Sequence, residues 1–122
     1  MPMPARSGAG TIIRGGVARG APDIDPGHDG SQGFWKPFVK SKRDLWLAAG
    51  LDELADGMGR TEFLLRFVLG HDDLHTTIVG TSKPEHLAAN VAAASRGPLP
   101  ADVLREAKRR LAAATAAGDA QR

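Results

Sequence analysis

The residues with the greatest chemical potential lie between positions 78 and 90, in the stretch IVGTSKPEHLAAN. A β-branched run followed by Lys83-Pro84 predicts a strand that turns directly into a helix, because proline is favoured in the first turn of a helix. A helix start offers unpaired N–H groups and the positive end of the helix dipole, which together attract an anion. Thr81 and Ser82 add hydroxyl donors, and Lys83 adds a positive charge. The spacing is therefore compatible with a phosphate site.

Two more residues bear on the same segment. Gly80 would let a ligand approach the backbone closely, and His86, one turn into the helix, would point back toward the helix start. The segment also fits a purely structural motif, since Ser82 and Glu85 have the spacing of a capping box, in which each side chain accepts a bond from an N–H of the first turn. On spacing alone the two interpretations carry equal weight.

The chain around this segment alternates strands and helices. Most glycines and prolines lie before residue 38, so we expect residues 1–10 to be disordered, residues 21–40 to form a long loop, and residues 41–117 to be the ordered part. Apolar periodicity and helix-end signals predict the elements. They are a strand at 11–13, a helix capped by Ser41 and Asp44 with a stripe of Leu47, Leu51, Leu54 and Met58, a helix capped by Thr61 that ends at Gly70, a strand at 74–79, and helices at 84–94 and 100–117.

This order is that of consecutive β/α units, whose strands lie parallel and whose loops gather at one end of the sheet. Two strands cannot close a barrel. A complete (β/α)8 barrel needs about 250 residues, whereas the chain has 122. We therefore expect an α/β chain that supplies only part of such a barrel.

Composition excludes several classes of function. Lysine and arginine number 16 against 14 acidic residues, so no strong basic balance indicates nucleic acid. There is no cysteine, hence no disulfide and no thiolate metal site. No apolar run approaches the roughly 20 residues of a membrane span, and residues 1–10 lack the apolar core of a signal peptide. We expect a cytoplasmic protein without a membrane or nucleic-acid partner.

Three stretches carry a resemblance to a known family. They are residues 60–69 (RTEFLLRFVL), residues 75–87 (HTTIVGTSKPEHL) followed by Asn90, and residues 96–103 (RGPLPADV). In this order they resemble the C-terminal end of a bacterial aldo/keto reductase. Residues 11–20 (TIIRGGVARG) resemble the seventh strand of that family and the loop after it. The likeness covers about residues 10–22 and 43–111.

The resemblance implies a partial TIM barrel, made of the last two strands with their helices and a C-terminal helix. It also implies an oxidoreductase that reduces aldehydes or ketones with NADP(H), whose adenosine phosphate lies after the eighth strand and whose nicotinamide and pyrophosphate lie along the seventh-strand loop. Arg14 would stack on the nicotinamide where many members have an aromatic residue. The cofactor-binding positions implied are Arg14, Gly15, Gly16, Val17, Arg19, Gly20, Gly80, Thr81, Ser82, Lys83, His86 and Asn90.

The part of that family that performs the reaction has no counterpart here. Its catalytic aspartate, tyrosine, lysine and histidine lie on earlier strands and their loops, and this chain has no tyrosine. We therefore assign no catalytic residue. Three hypotheses remain: a truncated reductase that is inactive alone, a non-catalytic nucleotide-binding module, and one segment of a split barrel. The carbonyl substrate would belong to the intact enzyme, and exposed barrel edges favour self-association.

Other residues that could do chemistry have simpler interpretations. His71 and His75 are four apart, but the turn expected between them removes the shared helical face that a zinc pair needs. Trp46 is interpreted as a packing residue. The basic residues Arg105, Lys108, Arg109 and Arg110 of the last helix are interpreted as a solvated face, rather than a phosphate contact.

The first prediction is that the purified chain shows no carbonyl reductase activity with NADPH toward aldehydes or ketones. Hydride transfer to a carbonyl needs a proton donor within hydrogen-bond reach of the oxygen, and no residue here matches that role. NADPH absorbance at saturating substrate gives the measurement. Turnover that co-purifies with the chain through successive columns would contradict it.

Overall fold

The structure is a computed structural model that describes residues 6–14 and 36–120. Over these residues the chain is α/β and mostly helical, with one small parallel sheet. The elements are β1 (Ile12–Arg14), α1 (Lys36–Ala48), α2 (Leu51–Ala55), α3 (Arg60–Leu69), β2 (Thr76–Ile78), α4 (Pro84–Ser95) and α5 (Ala101–Ala120).

The two strands pair in parallel, as the β/α order predicted. Side chains alternate between the two faces of a strand. One face of this sheet is half-buried and carries Ile13 and Thr77, and α3 is the helix that contacts β2. The opposite face is exposed. In register, the Cα partners are Ile12 with Thr76, Ile13 with Thr77, and Arg14 with Ile78.

The core lies among the helices rather than at the sheet. Trp46 of α1 meets Phe63 of α3 edge to face, with ring centroids 5.3 Å apart, a geometry that adds attraction beyond burial. Both rings are buried, which confirms Trp46 as a packing residue. Its indole N–H donates to Asp52 at 2.9 Å. The other buried members of the cluster are Ala49, Leu51, Ala55, Leu99 and Ala107.

The start of α1 differs from the prediction. The helix begins at Lys36, so residues 36–40 are helical rather than part of the long loop, and Ser41 lies inside the helix instead of capping it. Asp44 forms an ion pair with Lys40 one turn earlier, Nζ to Oδ2 2.6 Å. The capping-box spacing of Ser41 and Asp44 therefore lies within the helix and not at its start.

The apolar stripe predicted for one helix is divided between α1 and α2. The chain turns at Gly50, whose φ of 64° is in the left-handed region that favours glycine. Beyond the turn Leu51 is fully buried, whereas Leu47 before it is exposed. Helical spacing alone cannot detect this change of direction, because the apolar residues keep the same intervals through the turn.

Helix α3 has the predicted end and a different start. Gly59 is its N-cap and makes no side-chain cap bond, so Thr61 is the second residue of the helix rather than its cap. At the other end Gly70 is the C-cap; its N–H donates to the Phe67 carbonyl, and the N–H of the next residue, His71, donates to the Val68 carbonyl, both at 3.2 Å. A Cβ built on Gly70 would lie 2.8 Å from a methyl carbon of Leu104, so glycine allows α5 to pack closely here.

We expect Leu51→Ala to lower the free energy of unfolding by about 2–5 kcal/mol, because it leaves a cavity in the helical core. Leu47→Ala makes the same change at an exposed position of α1, and should alter it by less than about 0.5 kcal/mol. Urea unfolding of both variants at one protein concentration measures the difference. Equal effects of the two substitutions would contradict this core.

Candidate functional site

The parallel pairing brings two distant stretches of chain to one edge of the sheet. Arg14, the last residue of β1, lies opposite Ile78, the last residue of β2. From Ile78 the chain continues through residues 79–83 into α4, so the candidate phosphate turn begins at this same edge. Arg14 is exposed there. The structure therefore places one member of the predicted nicotinamide stretch beside the predicted phosphate turn.

The start of α4 tests the predicted capping box of this turn. Lys83 is the N-cap, with Pro84 in the first turn, and no side chain caps the helix. The capping box of Ser82 and Glu85 is therefore wrong. Thr81 has a different local role, since its Oγ1 accepts a bond from the Lys83 N–H at 3.1 Å.

The turn offers fewer free amides than a helix start provides in principle. The N–H groups of His86 and Leu87 both donate to the Lys83 carbonyl, at 3.0 and 3.2 Å. Pro84 has no N–H, and the Lys83 N–H is bound by Thr81. Within the described residues Glu85 is left with the one unbonded first-turn amide. An anion at this turn would depend on that amide, the helix dipole and the Lys83 ammonium.

The candidate residues of α4 and its turn are open to solvent. Every residue from 80 to 89 is exposed, and Asn90 is half-buried. His86 and Asn90 share one face of the helix with the buried Ala93, as their spacing requires. A Cβ on Gly80 would meet no atom within 4 Å, so packing within the described residues does not demand glycine there. Because Lys83 is exposed, salt should screen its attraction for an anion.

Five predicted cofactor positions belong to the loop after β1. They are Gly15, Gly16, Val17, Arg19 and Gly20, and they lie outside the described residues.

Two apolar surfaces next to the site are uncovered in the described part of the chain. On the sheet, the side chains of Ile12 and Ile78 are 68% and 58% exposed. On α4, Leu87 and Val91 lie one turn apart and are 52% and 58% exposed. Large side chains this exposed, on adjoining elements, are typical of surfaces that contact other protein.

A second polar cluster lies at the opposite end of the sheet. The buried Thr11 donates its N–H to Nδ1 of His75 at 2.8 Å and its hydroxyl to the carbonyl oxygen of Asp73 at 2.6 Å. The His75 N–H donates to the Thr11 hydroxyl at 3.1 Å. Sequence reasoning gave His75 no partner, because Thr11 is 64 positions away and no local pattern links them.

The other histidine and the basic face have structural contacts. His71 Nδ1 lies 3.0 Å from the Phe67 carbonyl oxygen, whereas His75 Nδ1 accepts from the Thr11 N–H, so the two histidines have different partners. On α5, Glu106 bonds both Arg109 and Arg110, and these two guanidinium groups lower the pKa of Glu106 to about 2. Arg110 also donates to the Gly50 carbonyl at 3.0 Å. That arginine joins α5 to the turn after α1, so it is not part of a solvated face.

The described residues hold no group of three potential metal ligands. None of their helices combines the length and apolarity needed to cross a bilayer. No family model, curated protein or solved structure matches the chain.

We expect the chain to self-associate, because within the described residues its two strands pair only with each other and the surfaces of Ile12, Ile78, Leu87 and Val91 are apolar. Sedimentation at several concentrations measures the association, and Leu87→Glu with Val91→Glu should weaken it. A monodisperse monomer that unfolds cooperatively and binds little apolar dye would contradict this expectation.

Proposed function

We propose that this chain is the C-terminal, NADP(H)-binding portion of an aldo/keto reductase barrel, an oxidoreductase of aldehydes or ketones. The observation that carries the proposal is the register of β1 and β2. It brings Arg14 and the 80–86 turn, which the sequence resemblance assigned separately to the two ends of one cofactor, to the same edge of the sheet. Ligands of β/α folds bind at this carboxyl edge.

The two faces of the sheet support a partial barrel. In a (β/α)8 barrel each strand points one set of side chains into the barrel and the other set toward the surrounding helices. Ile13 and Thr77 form the half-buried face of the sheet, whereas Ile12 and Ile78 are exposed, and α3 is the helix that contacts β2. The second pair would then face the barrel interior, and the missing strands would cover it.

That arrangement favours the truncated or split barrel over a self-sufficient nucleotide-binding module. A module that functions alone would be expected to cover its sheet, whereas both the sheet and α4 expose large apolar side chains here. The proposed cytoplasmic location and the carbonyl substrate belong to the complete enzyme.

The residues present fit the phosphate end of the cofactor better than the reacting end. NADP(H), when bound, supplies the hydride, and a protein group must supply the proton to the carbonyl oxygen. Lys83 forms no ion pair with any described residue and is exposed at the positive end of α4. The Thr81 hydroxyl keeps its proton for donation, because its oxygen is the acceptor of the Lys83 amide. Together they can hold a phosphate group.

We expect weak NADPH binding that is centred on the 80–86 turn. A charge-assisted contact contributes about 1.5–3 kcal/mol, so Lys83→Ala should weaken binding about ten- to a hundredfold. Lys108→Ala removes the same charge from the exposed side of α5 and serves as the matched control. Calorimetry or NMR titration with NADPH, NADH and adenosine 2′,5′-bisphosphate, at low and high salt, measures the affinities.

The same titrations can refute the proposal. Amide shifts confined to α5, an unchanged affinity in Lys83→Ala, or equal losses in both lysine variants would each exclude the turn as the phosphate site. A tighter complex with NADPH than with NADH would support contact with the 2′-phosphate, because the two cofactors differ only there.

A further inference from the structure

The attachment of β1 to the rest of the described chain depends on few contacts. It is a three-residue strand whose neighbour is β2, and Ile12 contributes little burial because its side chain is 68% exposed. Beyond the three residue pairs of the ladder, the attachment includes hydrogen bonds at Thr11. Besides the Thr11 bonds to His75 and Asp73, the Thr76 N–H donates to the Thr11 carbonyl at 3.2 Å.

One of these bonds depends on the protonation of a side chain. A backbone N–H can only donate, so Nδ1 of His75 must be the unprotonated nitrogen and Nε2 must carry the hydrogen. A protonated imidazole carries hydrogens on both nitrogens. Protonation would therefore set the Thr11 N–H against an N–H of the ring at a distance of 2.8 Å, and this bond would be lost. Nδ1 also lies 3.1 Å from the Thr11 hydroxyl oxygen, so the protonated ring would have to exchange the backbone donor for that oxygen.

We propose that His75 is a proton-controlled latch: the neutral imidazole holds the start of β1 against β2, and the protonated ring releases it. His75 is exposed, so protons reach the ring without unfolding of the chain. Arg14 lies three residues after Thr11, and release of β1 would move it away from Ile78. That consequence for cofactor binding rests on the proposed function, whereas the latch itself does not.

In the described part of the chain, no neighbouring charged side chain forms an ion pair with the His75 ring. Asp72 and Asp73 precede His75 in its own turn, and neither forms an ion pair with the ring within the described residues. The charged residues of α3 are engaged elsewhere, with Asp52, Arg96 and the carbonyl oxygens of residues 97 and 98. The remaining charged residues of the described stretch that contains β1 are Arg6 and Arg14.

The latch is tested by hydrogen exchange at the Thr11 amide in the chain without nucleotide. Between pH 8 and pH 5, the span over which histidines change charge, the protection factor of this amide, corrected for intrinsic exchange, should fall about tenfold. His75→Asn keeps an acceptor oxygen near the position of Nδ1 that cannot be protonated, and its protection should stay constant. His71→Asn removes the neighbouring ring and should respond to pH like the unaltered chain.

A second measurement covers variants that fail to fold. In the unaltered chain, the imidazole nitrogen shifts of His75 should show an unprotonated Nδ1 and a protonated Nε2 at pH 8. A protonated Nδ1 at pH 8, a constant Thr11 protection factor in the unaltered chain, or an equal fall in His75→Asn would overturn the latch. NADPH titration tests the proposed function separately, so failure of one does not imply failure of the other.

Discussion

The pairing of β1 with β2 is the interaction on which the candidate site depends. Residues that are 64 positions apart in the chain are joined at Thr11 and His75, and the same register then sets Arg14 beside Ile78. Closing a loop of this length costs entropy that must be offset by contacts between the strands. Only three residue pairs and the Thr11 cluster supply them in the described part of the chain. The position of Arg14 in the candidate site therefore depends on a strand pairing that few contacts stabilise.

The helices pack against one another through a buried apolar cluster. Trp46, Phe63 and Leu51 bury their side chains almost completely in one cluster, and each contributes on the order of 1.5–3 kcal/mol. Arg60 adds a contact over the Trp46 ring, 5.8 Å from its centroid, while it bonds Asp52. Arg110 connects α5 to the turn at Gly50. Local opening should thus begin at β1 and spare the helical core.

A weakly held sheet beside a well-packed set of helices is what the proposed segment of a larger barrel would have. A barrel stabilises each strand by two neighbours, and the two strands here have only each other within the described residues. The apolar side chains of Ile12 and Ile78 on the sheet, and of Leu87 and Val91 on α4, are the surfaces that such neighbours would cover. The proposed phosphate turn is local to β2 and α4, so it can form without such neighbours. A nicotinamide site and a proton donor, under the same proposal, would need them.

The sequence by itself determined the local features. Residue types set the strands near Thr11 and Thr76, the end of α3 at Gly70 and the start of α4 at Pro84, because propensity and helix-end signals act over a few residues. It also determined that no tyrosine is present to donate a proton. Tertiary structure decided the features that the spacing of residue types left open. The left-handed turn at Gly50 divided the apolar stripe, the α4 start excluded the capping box, and Thr11 met His75. Those outcomes depend on backbone direction and on contacts between distant residues, and neither is encoded in the intervals between residue types.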